Sequence, residues 1–404
     1  MMLQLSDKQK EFWNSANFRW NVKSGATRSG KTYLDFFVIA KRLQQIRNKD
    51  GLVVFLGNTK GSLQRNIIEP LKNLWGTSRV SDIGSDNTAY ILGERVYCLG
   101  ADKKNQVKKL QGSSIKYCYG DEVATWNEEV FTMLKSRLDK EYSKFDGTCN
   151  PDNRNHWFKK FIDSDVDIYL QEYCLDDNPF LANEVKDNIK KEYFGTVFWD
   201  RYVLGKWVNA EGIIYRLLAD KPDNFKIKKE KLPDLFDLNI GIDFGGNKSG
   251  HAIVLSGIGS DGRLYFLKED YRKATGTTSE DVVEWAVSKA EQFYKEYPYD
   301  FDLYPDCAEQ MLKNSIAAKS RFSVYNSIKK PIIDRIRFMC RLLATDRVRF
   351  VDGECEELLK AFSEAMWDDK SLEDKRLDNG SFNNDIIDAA EYSFEYNMNY
   401  FERS

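Results

Sequence analysis

The segment from Gly25 to Thr32 has the residue types and spacing that bind a nucleoside triphosphate. It reads Gly-Ala-Thr-Arg-Ser-Gly-Lys-Thr, a full match to the phosphate-loop pattern, and an apolar helical pattern follows at once. In such a loop the backbone N–H groups around Ser29 and Gly30 surround the phosphates, and the start of the helix adds positive charge. We expect Lys31 to contact the β and γ phosphates of ATP and Thr32 to coordinate Mg²⁺.

An acidic pair, Asp121 and Glu122, stands at the end of a predicted strand that begins at Ile115. In phosphate-loop hydrolases such a pair completes the site: we expect Asp121 to hold the Mg²⁺ shell and Glu122 to polarise the attacking water. An Asp-Glu pair alone is more often a turn or a helix cap. With a complete phosphate loop upstream, the pair favours ATP hydrolysis.

Four aspartates in the second half of the chain are candidate ligands for divalent cations: Asp243, Asp306, Asp385 and Asp388. Asp243 lies within a predicted strand, where a buried carboxylate is costly unless it is paired or metal-bound. Two Mg²⁺ ions about 4 Å apart, or Mn²⁺ in their place, would let such carboxylates cleave a phosphodiester. Asp385 and Asp388 share one helical face. We favour Asp385 as the direct ligand and leave Asp388 open as a second ligand or an orienting group.

The 404 residues that must position these groups exceed one ordinary core, so we expect two domains. Residues 1–209 alternate short apolar runs with helical patterns, which predicts an α/β phosphate-loop ATPase domain with a mainly parallel sheet. Residues 210–235 are charged and irregular, with two prolines, and we interpret them as a linker. Residues 236–404 begin with strand, turn and strand around Asp243 and end on a helical pattern. Ribonuclease-H-like nuclease domains begin in this way, which is the fold that we expect here, although many α/β folds also fit the pattern.

Composition limits the remaining possibilities. With only two histidines, a His-rich zinc site or a His-based triad is poorly supported. The net charge of −3 provides no global positive field, so any contact with DNA needs a local basic patch. The run from Ala101 to Gly112 offers such a patch through Lys103, Lys104, Lys108 and Lys109, although a solvated loop is the ordinary explanation.

We find no apolar run of bilayer length and no paired cysteine motif, and therefore expect a soluble cytoplasmic protein.

Several further segments, in the same order along the chain, resemble the large subunits of viral DNA-packaging terminases. Leu5 to Phe12 resembles the leading segment of that family, in which a glutamine, here Gln9, reads the adenine edge. Arg28 resembles an arginine that touches the γ-phosphate. Thr148 and Asn150 belong to a Gly-Thr-Cys-Asn-Pro segment that is similar to the part coupling nucleotide state to movement. Asp177–Phe180 and Gly205–Trp207 also look like family landmarks, and we assign both to structure.

The resemblance implies an ATP-driven motor that moves double-stranded DNA into a procapsid, joined to a metal-dependent nuclease that cleaves concatemeric DNA. It also implies a portal protein and a small terminase subunit as partners, a homo-oligomeric ring on the portal, no membrane, and the host cell cytoplasm as location. The isolated chain can then be a monomer. In the family, an acidic residue often precedes Asp385, whereas Asn383 and Asn384 stand here.

Three other interpretations compete with this one. A sugar-kinase or actin-like fold begins with residues similar to Gly241–Gly246, but it has no use for a phosphate loop at Gly25–Thr32. A helicase-like ATPase with a purely structural second domain would share the first site and lack the second. A non-enzymatic scaffold leaves the intact phosphate loop unexplained.

Overall fold

Two β-sheets organise the chain, one in each of two structural units. The computed structural model describes residues 4–104, 112–245, 250–371, 373–380 and 382–403. The first unit comprises residues up to Lys190 together with Val197–Asn209. The second comprises Lys191–Thr196 together with the chain from Ala210 onward.

The first part of the chain alternates strands with helices, as its apolar pattern predicts. Its strands are β1 (Trp20–Gly25), β2 (Leu52–Gly57), β3 (Thr88–Ile91), β4 (Glu94–Gly100), β5 (Ile115–Gly120), β6 (Lys144–Cys149) and β7 (Ile168–Tyr173). Its α-helices are α1 (Asp7–Ser15), α2 (Lys31–Gln45), α3 (Lys60–Leu63), α4 (Glu69–Trp75), α5 (Glu128–Arg137), α6 (Trp157–Ile162), α7 (Asn183–Tyr193) and α8 (Val197–Tyr202). A π-helical turn, Gln64–Ile68, separates α3 from α4.

These strands form one seven-stranded sheet in the order β3-β4-β2-β5-β6-β1-β7. Every neighbouring pair is parallel except the β3–β4 hairpin, so the predicted mainly parallel sheet is confirmed. The carboxyl ends of parallel strands meet at one edge, where α/β proteins bind ligands. Since β5, β6 and β1 are adjacent, the segments that follow these three strands converge there.

A buried ion pair crosses the core of the first unit. Arg42 on α2 donates to both oxygens of Asp146 on β6, at 2.8 and 3.2 Å, and neither side chain is more than 2% exposed. We expect Arg42→Met to lower the free energy of unfolding of this unit by about 3–5 kcal/mol, because Asp146 would remain buried without its partner. Urea unfolding measures the effect. Arg95→Met, which removes the exposed pair with Asp86, is the matched control and should change stability little.

The second unit contains a six-stranded sheet in the order β12-β9-β10-β11-β13-β8. Its strands are β8 (Lys226–Ile227), β9 (Leu235–Phe244), β10 (Gly250–Gly259), β11 (Leu264–Lys273), β12 (Phe301–Pro305) and β13 (Val348–Val351). Its helices are α9 (Arg216–Asp220), α10 (Ser279–Glu296), α11 (Gln310–Lys319), α12 (Ile332–Ala344), α13 (Glu356–Glu364), α14 (Asn384–Phe394) and α15 (Met398–Arg403). Antiparallel β9, β10 and β11 are flanked by parallel β12 and β13, the ribonuclease-H-like arrangement that we expected.

Helix α14 crosses β9 at very close range because Gly241 has no side chain. A Cβ atom at this position would lie 1.9 Å from the carbonyl oxygen of Ala389. Ile386 and Ile387, which lie between the two aspartates of this helix, are fully buried. The close crossing therefore brings the face that carries Asp385 and Asp388 to the strand that carries Asp243.

The segment 210–235 is not a free linker but part of the second unit. Tyr215 and Leu218 are buried there, the N–H of Ile214 donates to the Ala365 carbonyl at 2.8 Å, and β8 pairs with β13. The charged residues of the segment suggested an irregular connection. Its few apolar residues nevertheless bury enough surface to attach the segment to the sheet.

In the part of the chain that the structure describes, no helix has both the length and the apolar character that crossing a bilayer requires.

Candidate functional site

The phosphate loop lies between β1 and α2, at the edge of the sheet where parallel strands end. Gly25 must be glycine, since a Cβ atom would lie 2.1 Å from the Tyr173 carbonyl oxygen. Gly30 takes φ +88°, a left-handed conformation that glycine adopts at little cost, and helix α2 starts at the next residue. The loop borders a cavity of about 440 Å³. Its lining includes Arg28, Ser29, Gly30, Lys31, Thr32, Asp121, Glu122, Thr148 and Asn150.

The Lys31 ammonium group is held inside this loop. It donates to the carbonyl oxygens of Gly25 and Ala26 at 2.8 and 2.6 Å, and to the Asn150 side-chain oxygen at 3.2 Å. Burial lowers the pKa of Lys31 to about 8, although the nearby Cys149 and Asp35 act in the opposite direction and raise it. The lysine is therefore placed to exchange neutral oxygens for charged phosphate oxygens, which bind an ammonium more strongly.

The acidic pair follows β5 directly and faces the same cavity. The indole N–H of Trp126 holds the Asp121 backbone by donating to its carbonyl oxygen at 2.9 Å. Glu122 takes φ +52°, a left-handed conformation that is uncommon for a side chain of its size and that is often found at functional sites. Two carboxylates thus meet the phosphate loop across the cavity, as phosphoryl-transfer chemistry requires.

The segment after β6 connects the two halves of this site. The Thr148 hydroxyl donates to a carboxylate oxygen of Asp121 at 3.4 Å and accepts from the backbone N–H of Glu122 at 3.4 Å. Asn150 contacts Lys31, as described above. Of the two residues that the family resemblance singled out, Thr148 therefore contacts the acidic pair and Asn150 contacts the phosphate loop.

Gln9 and Arg28 occupy different positions around the loop. The Gln9 side chain is buried and donates to the Gly30 carbonyl oxygen at 2.9 Å, so it braces the loop backbone. It is not among the residues that line the cavity. Arg28 does line the cavity, and it has an exposed side chain and a left-handed backbone with φ +57°.

Two cavity residues were missed as functional candidates. Asn178, which we had assigned to structure, donates from its side chain to the Arg28 carbonyl oxygen at 2.8 Å. Asn66 comes from the π-helical turn, an irregularity that is frequent at functional sites, and its side chain hydrogen-bonds Asp121. No spacing in the sequence indicates either contact, because each depends on how distant segments pack.

Burial, and then the neighbouring Glu122, raise the pKa of Asp121 to about 7. A proton therefore competes with Mg²⁺ for this carboxylate below neutral pH. We expect the affinity for Mg-ATP to fall about tenfold per pH unit below pH 7 and to level off above it. Titration calorimetry from pH 5.5 to 8.5 measures the profile. Asp121→Asn is the control, because any slope that it retains belongs to the nucleotide; equal slopes in both proteins would contradict the assignment.

The four candidate aspartates of the second unit lie near one another. Asp243 is the next-to-last residue of β9, Asp306 follows the neighbouring strand β12, and α14 carries Asp385 and Asp388. Asp243 is 8% exposed, and burial, followed by the charges of Asp388, Asp385 and Asp306, raises its pKa well above the usual range. Residues separated by more than 140 positions in the sequence are thus brought into one electrostatic cluster.

The cluster members have different partners. Asp385 accepts the backbone N–H of Gly250 at 2.7 Å. Asp388 accepts from Arg335 at 3.2 Å and from Arg376 at 2.5 Å, and these arginines are buried. An aspartate held by two buried guanidinium groups is a poor candidate for direct metal binding. Asp385 is therefore the better candidate of the two.

Among the described residues, no group of three or more His, Cys, Asp or Glu side chains has the arrangement of a formed metal site. The charge of the cluster nevertheless suits a cation. Of the charged groups with the largest effects on Asp243, three are aspartates that disfavour its ionisation, and only Lys329 favours it. Divalent cations bound by carboxylate oxygens would relieve this repulsion.

The basic run Ala101–Gly112 is described only in part. Lys104 pairs with Glu129 at 2.7 Å, and Lys103 lies 4.0 Å from Asp102. Lys108 and Lys109 lie outside the described residues, as does Gly246 of the kinase-like pattern. Gly241, at the start of that pattern, is inside a strand and serves the packing of α14.

Comparisons with known proteins agree with this architecture. The family model for the terminase large subunit of T4-like viruses, N-terminal part, matches residues 23–219. No curated protein matches the chain. The large terminase from a thermophilic bacteriophage is 25% identical, with a TM-score of 0.81 over 97% of this chain and 99% of that one. Structures of the same phage protein with ADP and with ATP-gamma-S each give a TM-score of 0.76, at 25% identity over 96% of this chain and 98% of that one.

The family match covers the phosphate loop and the acidic pair, and the likeness to a phage large terminase extends over both units. Over both units, the chain is therefore similar to the large subunits of DNA-packaging terminases.

Proposed function

We propose that this chain hydrolyses ATP in its first unit to move double-stranded DNA into a viral procapsid. The observation that carries the proposal is the convergence of Lys31, Asp121, Glu122 and Thr148 on one cavity. The large terminase of the thermophilic phage has been solved with ADP and with ATP-gamma-S, which supports a nucleotide at the corresponding place.

In this proposal Lys31 leaves its carbonyl partners to bind the β and γ phosphates, and Thr32 and Asp121 hold Mg²⁺, which neutralises phosphate charge when bound. Glu122 orients the attacking water and accepts its proton. Thr148 contacts both acidic residues. A change in the position of these residues when the γ-phosphate is lost would therefore be passed by Thr148 to the segment after β6. Arg28 is placed to meet the γ-phosphate from the loop itself.

The second unit is proposed to be a nuclease for concatemeric DNA. Asp243, Asp306 and Asp385 would hold Mg²⁺ or Mn²⁺, and two such ions, when bound, activate water and stabilise the leaving oxygen of a phosphodiester. The chain's own contribution is to bring these carboxylates together, through β9, β12 and α14, against their mutual repulsion. Asp388 then has an orienting role, because two arginines hold it.

The assembly is also part of the proposal. A portal protein and a small terminase subunit are the expected partners, and several copies of the chain would form a ring on the portal in the host cytoplasm. The similarity to phage large terminases supports this arrangement.

The intact chain tests both activities in one preparation. We expect ATP hydrolysis that needs Mg²⁺ and increases with double-stranded DNA, together with cleavage of plasmid DNA in Mg²⁺ or Mn²⁺. Hydrolysis without cleavage would favour the helicase-like alternative with a structural second domain. If the chain neither bound ATP nor cleaved DNA, only the interpretation as a non-enzymatic scaffold would remain.

A further inference from the structure

The side chain of Lys329 forms an ion pair with one of the carboxylates that are proposed above as metal ligands. Its ammonium nitrogen lies 2.9 and 3.0 Å from the two carboxylate oxygens of Asp306. One of those oxygens also accepts the backbone N–H of Ala308 at 2.9 Å. Both oxygens of Asp306 are therefore engaged before any metal arrives.

The backbone of Lys329 is held in an unusual conformation. Its φ is +54°, in the left-handed region that side chains of this size rarely adopt. Glu395, which has no exposed side-chain surface, accepts the N–H of Lys329 at 2.9 Å with one oxygen and the N–H of Lys330 at 2.8 Å with the other. The fold thus tolerates backbone strain to keep this lysine beside Asp306.

The residues that hold Lys329 also connect it to the helix that carries the other aspartates. Arg335 lies 3.6 Å from Glu395, 2.6 Å from Glu391 and 3.2 Å from Asp388. The turn that presents the lysine and the helix α14 are therefore tied to the same buried guanidinium group.

We propose that Lys329 is a built-in counter-ion that occupies Asp306 in the metal-free protein and must be displaced when a divalent cation binds. This inference rests on the proposed nuclease function. A cation next to Asp306 repels an incoming divalent ion, and it holds the two oxygens that the ion needs. The lysine thereby limits how readily the nuclease loads its metal.

Exposure separates Lys329 from the other cations nearby. Its side chain is 42% exposed and ends a flexible stem, so the ammonium can swing into solvent at small cost. Arg335 and Arg376 are each 3% exposed and stay with Asp388. Only Lys329, among these three, is suited to leave when a metal arrives.

The test is the affinity of the intact, ATP-free chain for Mn²⁺ alone, measured by the electron paramagnetic resonance signal of free Mn²⁺. We expect Lys329→Met to bind Mn²⁺ about tenfold more tightly than the parent, since a competing charge is removed. Lys329→Arg keeps the charge and should bind nearly as the parent does. The matched control is Lys319→Met, which removes a lysine of 43% exposure from a surface pair with Glu280 in the same unit.

Thermal unfolding gives a second measurement that does not depend on activity. Without metal, Lys329→Met should melt below the parent, because the carboxylates lose their counter-ion, and saturating Mn²⁺ should raise its melting temperature by more than that of the parent. If the parent binds Mn²⁺ and Lys329→Met binds it equally or more weakly, the counter-ion inference is wrong and the proposed nuclease stands. If neither protein binds Mn²⁺, the metal-dependent nuclease is wrong, and the inference with it.

Discussion

Lys31→Ala is expected to lose ATP binding, whereas Glu122→Gln is expected to bind ATP as the parent does and to hydrolyse it at least about 10²-fold more slowly. The lysine provides the positive charge inside the loop, where it already contacts Gly25, Ala26 and Asn150. Glutamine at position 122 keeps the shape of the side chain but cannot accept a proton from water. Binding of a fluorescent ATP analogue and release of phosphate measure the two steps separately.

Matched controls keep this result specific. Lys60→Ala removes a partly buried lysine whose ammonium donates to the Gly84 carbonyl oxygen, and Glu128→Gln changes an exposed glutamate in the first turn of α5. Both should bind and hydrolyse ATP like the parent. Normal turnover by Glu122→Gln would remove this residue from the proposed mechanism.

Asp243→Asn is expected to abolish DNA cleavage and to leave ATP hydrolysis unchanged, since the two sites belong to different units. Burial and the charges of the three neighbouring aspartates raise the pKa of Asp243 well above its usual range, and neutralising it removes one of the proposed ligands. Plasmid nicking in Mn²⁺ and phosphate release from the same preparation measure the two activities. Asp261→Asn, in the same unit and paired with Arg263 at 2.7 Å, is the control.

The two aspartates of α14 should differ in what they affect. Asp385→Asn should cost more metal-dependent cleavage than Asp388→Asn. Asp388→Asn should instead lower the stability of the second unit, because buried Arg335 and Arg376 lose a charged partner. Cleavage at the parent rate by all three variants, Asp243→Asn included, would remove the nuclease from the proposal and leave the ATPase.

The phosphate loop could be predicted from the sequence because its main groups lie in one short segment. Each role follows from local geometry. The backbone of Gly25 closely approaches a neighbouring strand, Gly30 has a left-handed backbone, and Lys31 is the first residue of α2. The mainly parallel sheet was also predictable, since runs such as Leu52–Gly57 are short, apolar and separated by helical patterns. These features depend on residues that are neighbours along the chain.

The charged segment 210–235 shows where local patterns fail. Composition indicated a linker, yet Tyr215 and Leu218 are buried in the second unit and β8 joins its sheet. Whether a few apolar residues in a charged stretch find a surface to cover depends on the rest of the fold.

The sequence by itself determined which residue types are available: a complete phosphate loop, an acidic pair and four aspartates in a workable order. Only the tertiary structure decided which partner each of them has. In the folded chain Asn66 hydrogen-bonds Asp121, Asp388 pairs with two arginines, and Lys329 pairs with Asp306. The physical reason is that charge interactions depend on distance in space and on burial, and neither follows from spacing along the chain.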